Sequence, residues 1–334
     1  MNAVPPKKAN LADKIWKGEV TPGVSRTAAG RPLTVNEMMD AMVRLYDESN
    51  KQNFGVFDEM LSADFVSYGG AGFQDLNGAE AFRGLYVQFL TSMPDLNFRV
   101  DQVVAEGQFV GVRGMLSGTH KGNFMGFAPP TGKFISWTGT AIFRFNQDGL
   151  MDARWQEWDG LSVMQQMGVV PGESAGAARL PEVVPPYVAK GYSSPLQNKE
   201  LIRRLVDEVW NKGNLAVADE LYHPQASWPS NPSLPVGSAG AKAVVGMYRQ
   251  AMPDFHVEFK ELLASGDMVL AWISLSGTQR RDLMGVPPTG KKAQWGQIII
   301  ARFAAGQIVE SWSNEDILGL MQQLGVGGNV SSGA

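Results

Sequence analysis

The sequence repeats itself. The segment SGTHKGNFMGFAPPTGK, Ser117 to Lys133, returns as SGTQRRDLMGVPPTGK from Ser276 to Lys291. Met93-Pro94-Asp95 recurs as Met252-Pro253-Asp254, and Arg144-Phe145 recurs as Arg302-Phe303. RWQEWDGLSVMQQMG, ending at Gly168, recurs as SWSNEDILGLMQQLG, ending at Gly325. The offset drifts only from 159 to 157 across these anchors. Solenoid and propeller repeats span a few tens of residues, whereas this period is that of a whole globular domain. The chain is therefore expected to fold as two similar domains, and the positions at which the copies differ are where function can be argued.

Composition bounds the classes. Of the 334 residues, 44% are hydrophobic and 19% charged, enough apolar material for two cores. A net charge of −4 leaves no basic surface for phosphate-dominated contact, so no nucleic-acid partner is expected. The absence of cysteine excludes disulfides, thiolate nucleophiles and cysteine-ligated metals. The start, MNAVPPKKANLADKIWKGEV, has positive charges but no apolar run behind them, and no stretch approaches a membrane span. No membrane partner and a cytoplasmic location are the expectations. Three histidines without His-x-x-x-His spacing predict no metal site.

The expected organisation is an extension over 1–33 with one short helix near Leu11–Trp16, a first domain over 34–170, a linker over 171–196, a second domain over 197–327 and a tail over 328–334. Thr34 with Glu37 fits a capping box, after which Met38, Met39, Met42, Leu45 and Tyr46 share one helical face. Ser194, Pro195 and Gln197 open the second copy in the same way. Short helical patterns follow over Asp58–Leu61 and Ala79–Ser92, matched by Asp219–Tyr222 and Ala239–Ala251. Extended runs then cover Phe98–Glu106, Phe109–Thr119, Phe134–Phe145 and Leu150–Trp158. Helices followed by an antiparallel sheet imply α+β domains.

These motifs, in this order and twice over, resemble the SnoaL-like polyketide cyclases of the nuclear-transport-factor-2-like superfamily. The resemblance rests on Asn-Lys-x-Asn at Asn50–Asn53 and Asn211–Asn214, Met-Pro-Asp, Ser-Gly-Thr-His leading to Pro-Pro-Thr-Gly-Lys, and Trp-x-x-x-Asp before Gln-Gln-x-Gly. It covers roughly residues 34–168 and 197–325. It implies two tandem cone-shaped domains, each a strongly bent antiparallel sheet with helices packed on one face. Its reach is weaker for reaction than for fold, because one fold hosts many chemistries.

Such a domain encloses one apolar pocket with few polar groups. Strand alternation groups Trp155, Glu157 and Asp159 on one face, with Arg154, Gln156 and Trp158 on the other. The resemblance turns the Trp-x-x-x-Asp face inward and implies an acid/base role for Asp159 with His120 as its partner. A carboxylate among indoles should have a raised pKa, as proton transfer near neutral pH requires. Glu157 is a further candidate acid. Trp155, Tyr68 and Trp137 are expected as substrate-contacting walls. Read without the resemblance, an acid at a strand end is more often a cap or a solvated charge.

The second copy keeps Asp316 and Trp312 but carries Gln279 for His120 and Asn314 for Glu157. Both changes replace a titratable group by an amide, which hydrogen-bonds but does not shuttle protons at neutral pH. The expectation is a cofactor-free acid/base enzyme, a cyclase, lyase, dehydratase or isomerase, acting on a small apolar aromatic or carbonyl compound in the first domain. The alternative is a non-catalytic ligand-binding or scaffold protein. In either case the two domains are expected to pair within the chain as a pseudo-dimer, with further self-association left open.

Overall fold

The computed structural model describes residues 31–55, 57–69, 74–172, 174 and 194–326. The expected helix near Leu11–Trp16, most of the linker and the tail lie outside the described residues. The chain divides into two compact units.

In the first unit the order is α1 (Val35–Ser49), α2 (Phe57–Met60), β1 (Leu61–Ser67), β2 (Leu76–Asn77), α3 (Gly78–Ser92), β3 (Asn97–Glu106), β4 (Phe109–Thr119), β5 (Phe134–Phe145), β6 (Met151–Trp158) and α4 (Gly160–Met167). The sheet runs β2-β1-β6-β5-β4-β3. Its long strands are antiparallel, but β1 joins β6 in parallel, so the sheet is mixed where a wholly antiparallel one was expected. A hairpin forces antiparallel pairing only on strands it connects; β1 enters from α2 and leaves toward β2 and α3, so its direction against β6 is free. Register shifts at Val100/Gln102 and Arg144/Phe145 bend the strands. Helix α1 packs against β3, and α3 against β1. Phe54, Phe57, Phe65, Phe82 and Tyr86 interlock ring on ring beneath them.

The second unit repeats this plan. Helix α5 (Pro195–Arg204) runs into a π-helical stretch, Leu205–Asn211, followed by α6 (Val217–Leu221), β7 (Tyr222–Ser227), α7 (Ser238–Ala251), β8 (His256–Ser265), β9 (Met268–Thr278), β10 (Lys292–Ala304), β11 (Gln307–Glu315) and α8 (Ile317–Leu324). Its sheet order is β7-β11-β10-β9-β8, again with the first strand parallel. The offset between copies is 160 residues at the capping residues Thr34 and Ser194 but 161 at Asn50 and Asn211. A π turn absorbs a single inserted residue without unwinding the helix, and the stretch sits between those two anchors.

The repeated motifs act as clasps. Both capping boxes form, with Thr34 bonded to Glu37 and Ser194 to Gln197. The Asn50 amide accepts from the Phe98 N–H at 2.6 Å and donates to its carbonyl at 2.8 Å; Asn211 holds Val257 in the same way. Asp95 accepts from the backbone N–H and hydroxyl of Thr119, and Asp254 from those of Thr278. In the Gln-Gln-x-Gly motif the second glutamine, Gln166, pairs its amide with the backbone of Ser136, and Gln323 does so with Gln294. The glycine closes the helix in the left-handed region, φ 79° at Gly168 and 91° at Gly325.

Candidate active site

A cavity opens between the sheet and helices of the first unit. Tyr86, Phe89, Phe98, Met115, Leu116 and Trp137 give it apolar walls. Its polar wall comes from β6: Arg154, Gln156, Glu157 and Trp158 all border it.

This differs from the expected faces of β6, of whose expected inward set only Glu157 borders the cavity. Arg154, Gln156 and Trp158 are the inward set. Trp155 lies on the other face, its ring stacked on Tyr68 at 5.2 Å and 4°, with the Arg144 guanidinium 5.8 Å above it. Neither Trp155 nor Tyr68 borders the cavity, whereas Trp137 does. The reason is that β6 ends at Trp158 and Asp159, at φ −78° and ψ 70°, already caps α4, so strand parity does not extend to it.

Asp159 accepts the Ser162 N–H at 3.1 Å as the N-cap of α4, and burial pushes its carboxyl above the usual range. Asp316 caps α8 equivalently through Gly319 at 2.7 Å, and is raised for the same reason. His120 is buried, its Nδ1 3.0 Å from the Thr131 hydroxyl. Burial holds its pKa below the ordinary value, which keeps the ring neutral at pH 7, and Nε2 has no hydrogen-bond partner. Gln279 sits at the same place and is fully engaged. Its Oε1 accepts from Thr289, and its Nε2 donates to the Val286 carbonyl at 2.8 Å. Asp159 and His120 are not among the residues bordering the cavity; each fastens a backbone segment beside it.

The most consequential residue is one that the motif reading passed over. Arg154 is buried, and burial lowers its pKa. Its guanidinium donates to the Ser67 hydroxyl at 2.9 Å and to Gln156 Oε1. It lies over the Phe82 and Phe143 rings at 5.2 and 5.7 Å. Nε is unpaired, and no carboxylate stands within ion-pair distance among the described residues. A guanidinium stays charged in a protein, so this is an uncompensated buried cation beside an apolar cavity. The copy comparison held a signal for it, since its counterpart is Ser311.

The second unit has its own cavity, with about 670 Å³ of empty space, bordered by Val206, Val244, Ile273, Gln297, Ser311 and Ser313 among others. Asp316, Gln279, Trp312 and Asn314, the residues expected in a second pocket, do not border it. Beside it a carboxylate appears that the motif comparison overlooked. Glu315, the counterpart of Trp158, accepts from Tyr248 at 2.7 Å, Trp295 at 2.6 Å and Gln297 at 3.3 Å. Among the described residues no group of three or more His, Asp or Glu is placed to hold a metal ion.

The model of the family described as SnoaL-like polyketide cyclase matches residues 40–167 and again 200–324. The chain is 32% identical over 130 residues to aklanonic acid methyl ester cyclase DnrD of Streptomyces peucetius, spanning 38% of this chain and 89% of that one. It is 31% identical over 130 residues to aklanonic acid methyl ester cyclase DauD of Streptomyces sp. (strain C5), spanning 38% and 80%. Among solved structures, TsrD from Streptomyces laurentii matches at 26% identity with a TM-score of 0.38, covering 40% of this chain and 98% of that one.

Proposed function

Because the chain belongs to the SnoaL-like polyketide cyclase family in both of its halves, we propose that it is a cyclase-type acid/base enzyme. In this reading it needs neither metal nor cofactor, and its first domain acts on a small apolar compound bearing a carbonyl group. The observation that carries it is Arg154, a buried guanidinium without a counter-ion on the wall of an otherwise apolar cavity. Such a group is costly unless a ligand supplies negative charge. It suits an oxygen that gains charge as a proton leaves the neighbouring carbon, the situation in an enolate. The relatives named above close an ester-bearing molecule into a ring; from them we carry over only the class, a carbonyl compound that undergoes ring closure.

In this mechanism the apolar walls hold the carbon skeleton and exclude water. Arg154, steadied by Ser67 and Gln156, binds the carbonyl oxygen and stabilises the enolate. The proton passes to a carboxylate at the end of β6. Glu157 borders the cavity and reaches the substrate directly; Asp159, whose pKa burial raises, stands beside the cavity and would act through one bridging water. His120, neutral with a free Nε2, is the assigned partner.

A second reading is favoured by one observation. Asp159 and Asp316 make the same cap, and His120 and Gln279 fasten the same loop. If those bonds are their whole role, the domain binds its ligand without proton transfer. Exchange of the α-hydrogens of an aryl 1,3-diketone in D2O, followed by NMR, separates the two. Exchange above background, lost in Asp159→Asn or Glu157→Gln, supports the enzyme; binding without exchange supports the second reading.

A further inference from the structure

The two cavities share wall positions but are filled from opposite ends. In the first domain Arg154 rests on Phe82 and Phe143 and closes the inner end. The equivalent residues of the second domain are Ser311, Ala241 and Ala301, and all three border its cavity. Three large groups are thus replaced by small ones, and the space reaches inward. Toward the other end Gly139 is exchanged for Gln297, which borders the second cavity in its turn.

Gln297 is buried, only 4% exposed, and its orientation is fixed. Glu315 is surrounded by donors, the Tyr248 hydroxyl and the Trp295 indole, and so takes the amide Nε2 of Gln297 as well. That leaves Gln297 Oε1 on the other side of the amide, buried and without a hydrogen-bond partner. One unsatisfied acceptor therefore adjoins an apolar space. Leaving such a group buried and unpaired is costly. No cation borders this cavity, and the carboxylate behind Gln297 disfavours an anion.

We propose that the second domain is a separate binding site for a neutral, hydroxylated apolar molecule, an alcohol or un-ionised phenol. A hydroxyl hydrogen is donated to Gln297 Oε1, and the apolar walls hold the rest of the molecule. The site differs from that of the first domain, whose free guanidinium favours oxygen that is charged or becoming charged. The inference does not depend on the chemistry proposed for the first domain.

The test titrates the full chain with 2-naphthol and, separately, 2-naphthoate at pH 7, reading affinity and stoichiometry by calorimetry. The expected 2-naphthol site is weakened roughly tenfold by Gln297→Leu, the loss of one buried hydrogen bond. It is abolished by Ala301→Phe, which restores the side chain the first domain carries, and unmoved by Arg154→Met. Where Ala301→Phe does not fold, by circular dichroism, Gln297→Leu alone decides. The proposal is overturned by absence of 2-naphthol binding to the unaltered chain, by affinity indifferent to Gln297→Leu, or by loss of that site in Arg154→Met. It is equally overturned if crystals soaked in 2-naphthol show only water at Gln297 Oε1.

Discussion

In the second domain Glu315 Oε1 accepts the Trp295 indole N–H at 2.6 Å, at the position where the first domain sets Trp158 edge-on to Trp137 at 6.5 Å and 62°. The difference is concerted. In the first domain the α3 residue packed on Trp137 is Phe89; in the second its counterpart on α7 is Tyr248, whose hydroxyl also donates to the Glu315 carboxylate. A buried carboxylate requires donors, and the second domain supplies them.

Burial pushes the Glu315 carboxyl above its ordinary 4.5 despite those donors. The folded state therefore holds this proton more tightly than the unfolded chain. The stability it contributes is fully present below pH 4.5 and is lost as pH rises through the folded value. The stability of the unaltered chain relative to Glu315→Gln should fall as pH is raised from 4 toward neutrality. Denaturant titrations of both proteins across that range measure it; a difference that is flat or rises contradicts the assignment.

Arg154→Met should leave the fold intact and reduce α-hydrogen exchange by roughly 10²-fold or more, as when a single oxyanion-stabilising donor is removed. Arg154→Lys should recover only part of this, since an ammonium cannot reproduce the planar fork that reaches Ser67 and Gln156 together. Rates for the three proteins, measured with thermal melts, give the answer.

Gly139→Gln installs in the first domain the residue of the second. A Cβ at Gly139 would meet Trp158 Cβ at 3.5 Å, an ordinary contact, so the backbone accommodates it. The side chain should then occupy the cavity and abolish 2-naphthoate binding with little change in melting temperature. Retained binding would place that ligand elsewhere.

Asp159→Asn separates chemistry from capping. Asparagine caps a helix about as well as aspartate, whereas alanine costs about 1 kcal/mol. If Asp159 transfers the proton, the Asn variant keeps its stability and loses turnover, and Asp316→Asn has a far milder effect on activity. Equal losses of activity in both variants would remove the chemistry from the first domain.

Asp95→Ala removes two hydrogen bonds that tie the turn before β3 to Thr119. It should cost about 2–3 kcal/mol, since a charged acceptor is lost twice over. Urea unfolding measures this, and ligand affinity in the folded protein should be close to unaltered.

The sequence revealed the frame more clearly than the lining. Capping boxes, the strands Phe109–Thr119 and Phe134–Phe145, and the duplication were all readable because each depends on local pattern or on direct repetition. The short strands β1 and β7 carry weak alternation and were missed, and with them the parallel pairing. Among site residues, motif similarity drew attention to Asp159 and His120, whose visible bonds are to backbone or to a neighbouring turn. Arg154 and Glu315 lie in a repeated segment but at positions where the two copies differ. They show up only when unlike positions of the copies are compared and their surroundings are known, because a buried charge is defined by what is missing around it.

The π-helical stretch Leu205–Asn211 has a consequence for how freely this chain can be shortened. One inserted residue in an α-helix rotates everything beyond it by about 100°. Here the helix is held at its start by Ser194 and Gln197, and at its end by Asn211 on Val257, so rotation is blocked and the surplus is stored as a wide turn. Removing one residue from this stretch returns the helix to the length of its counterpart. A deletion of the kind that ordinarily ruins a helix should pass here with little penalty.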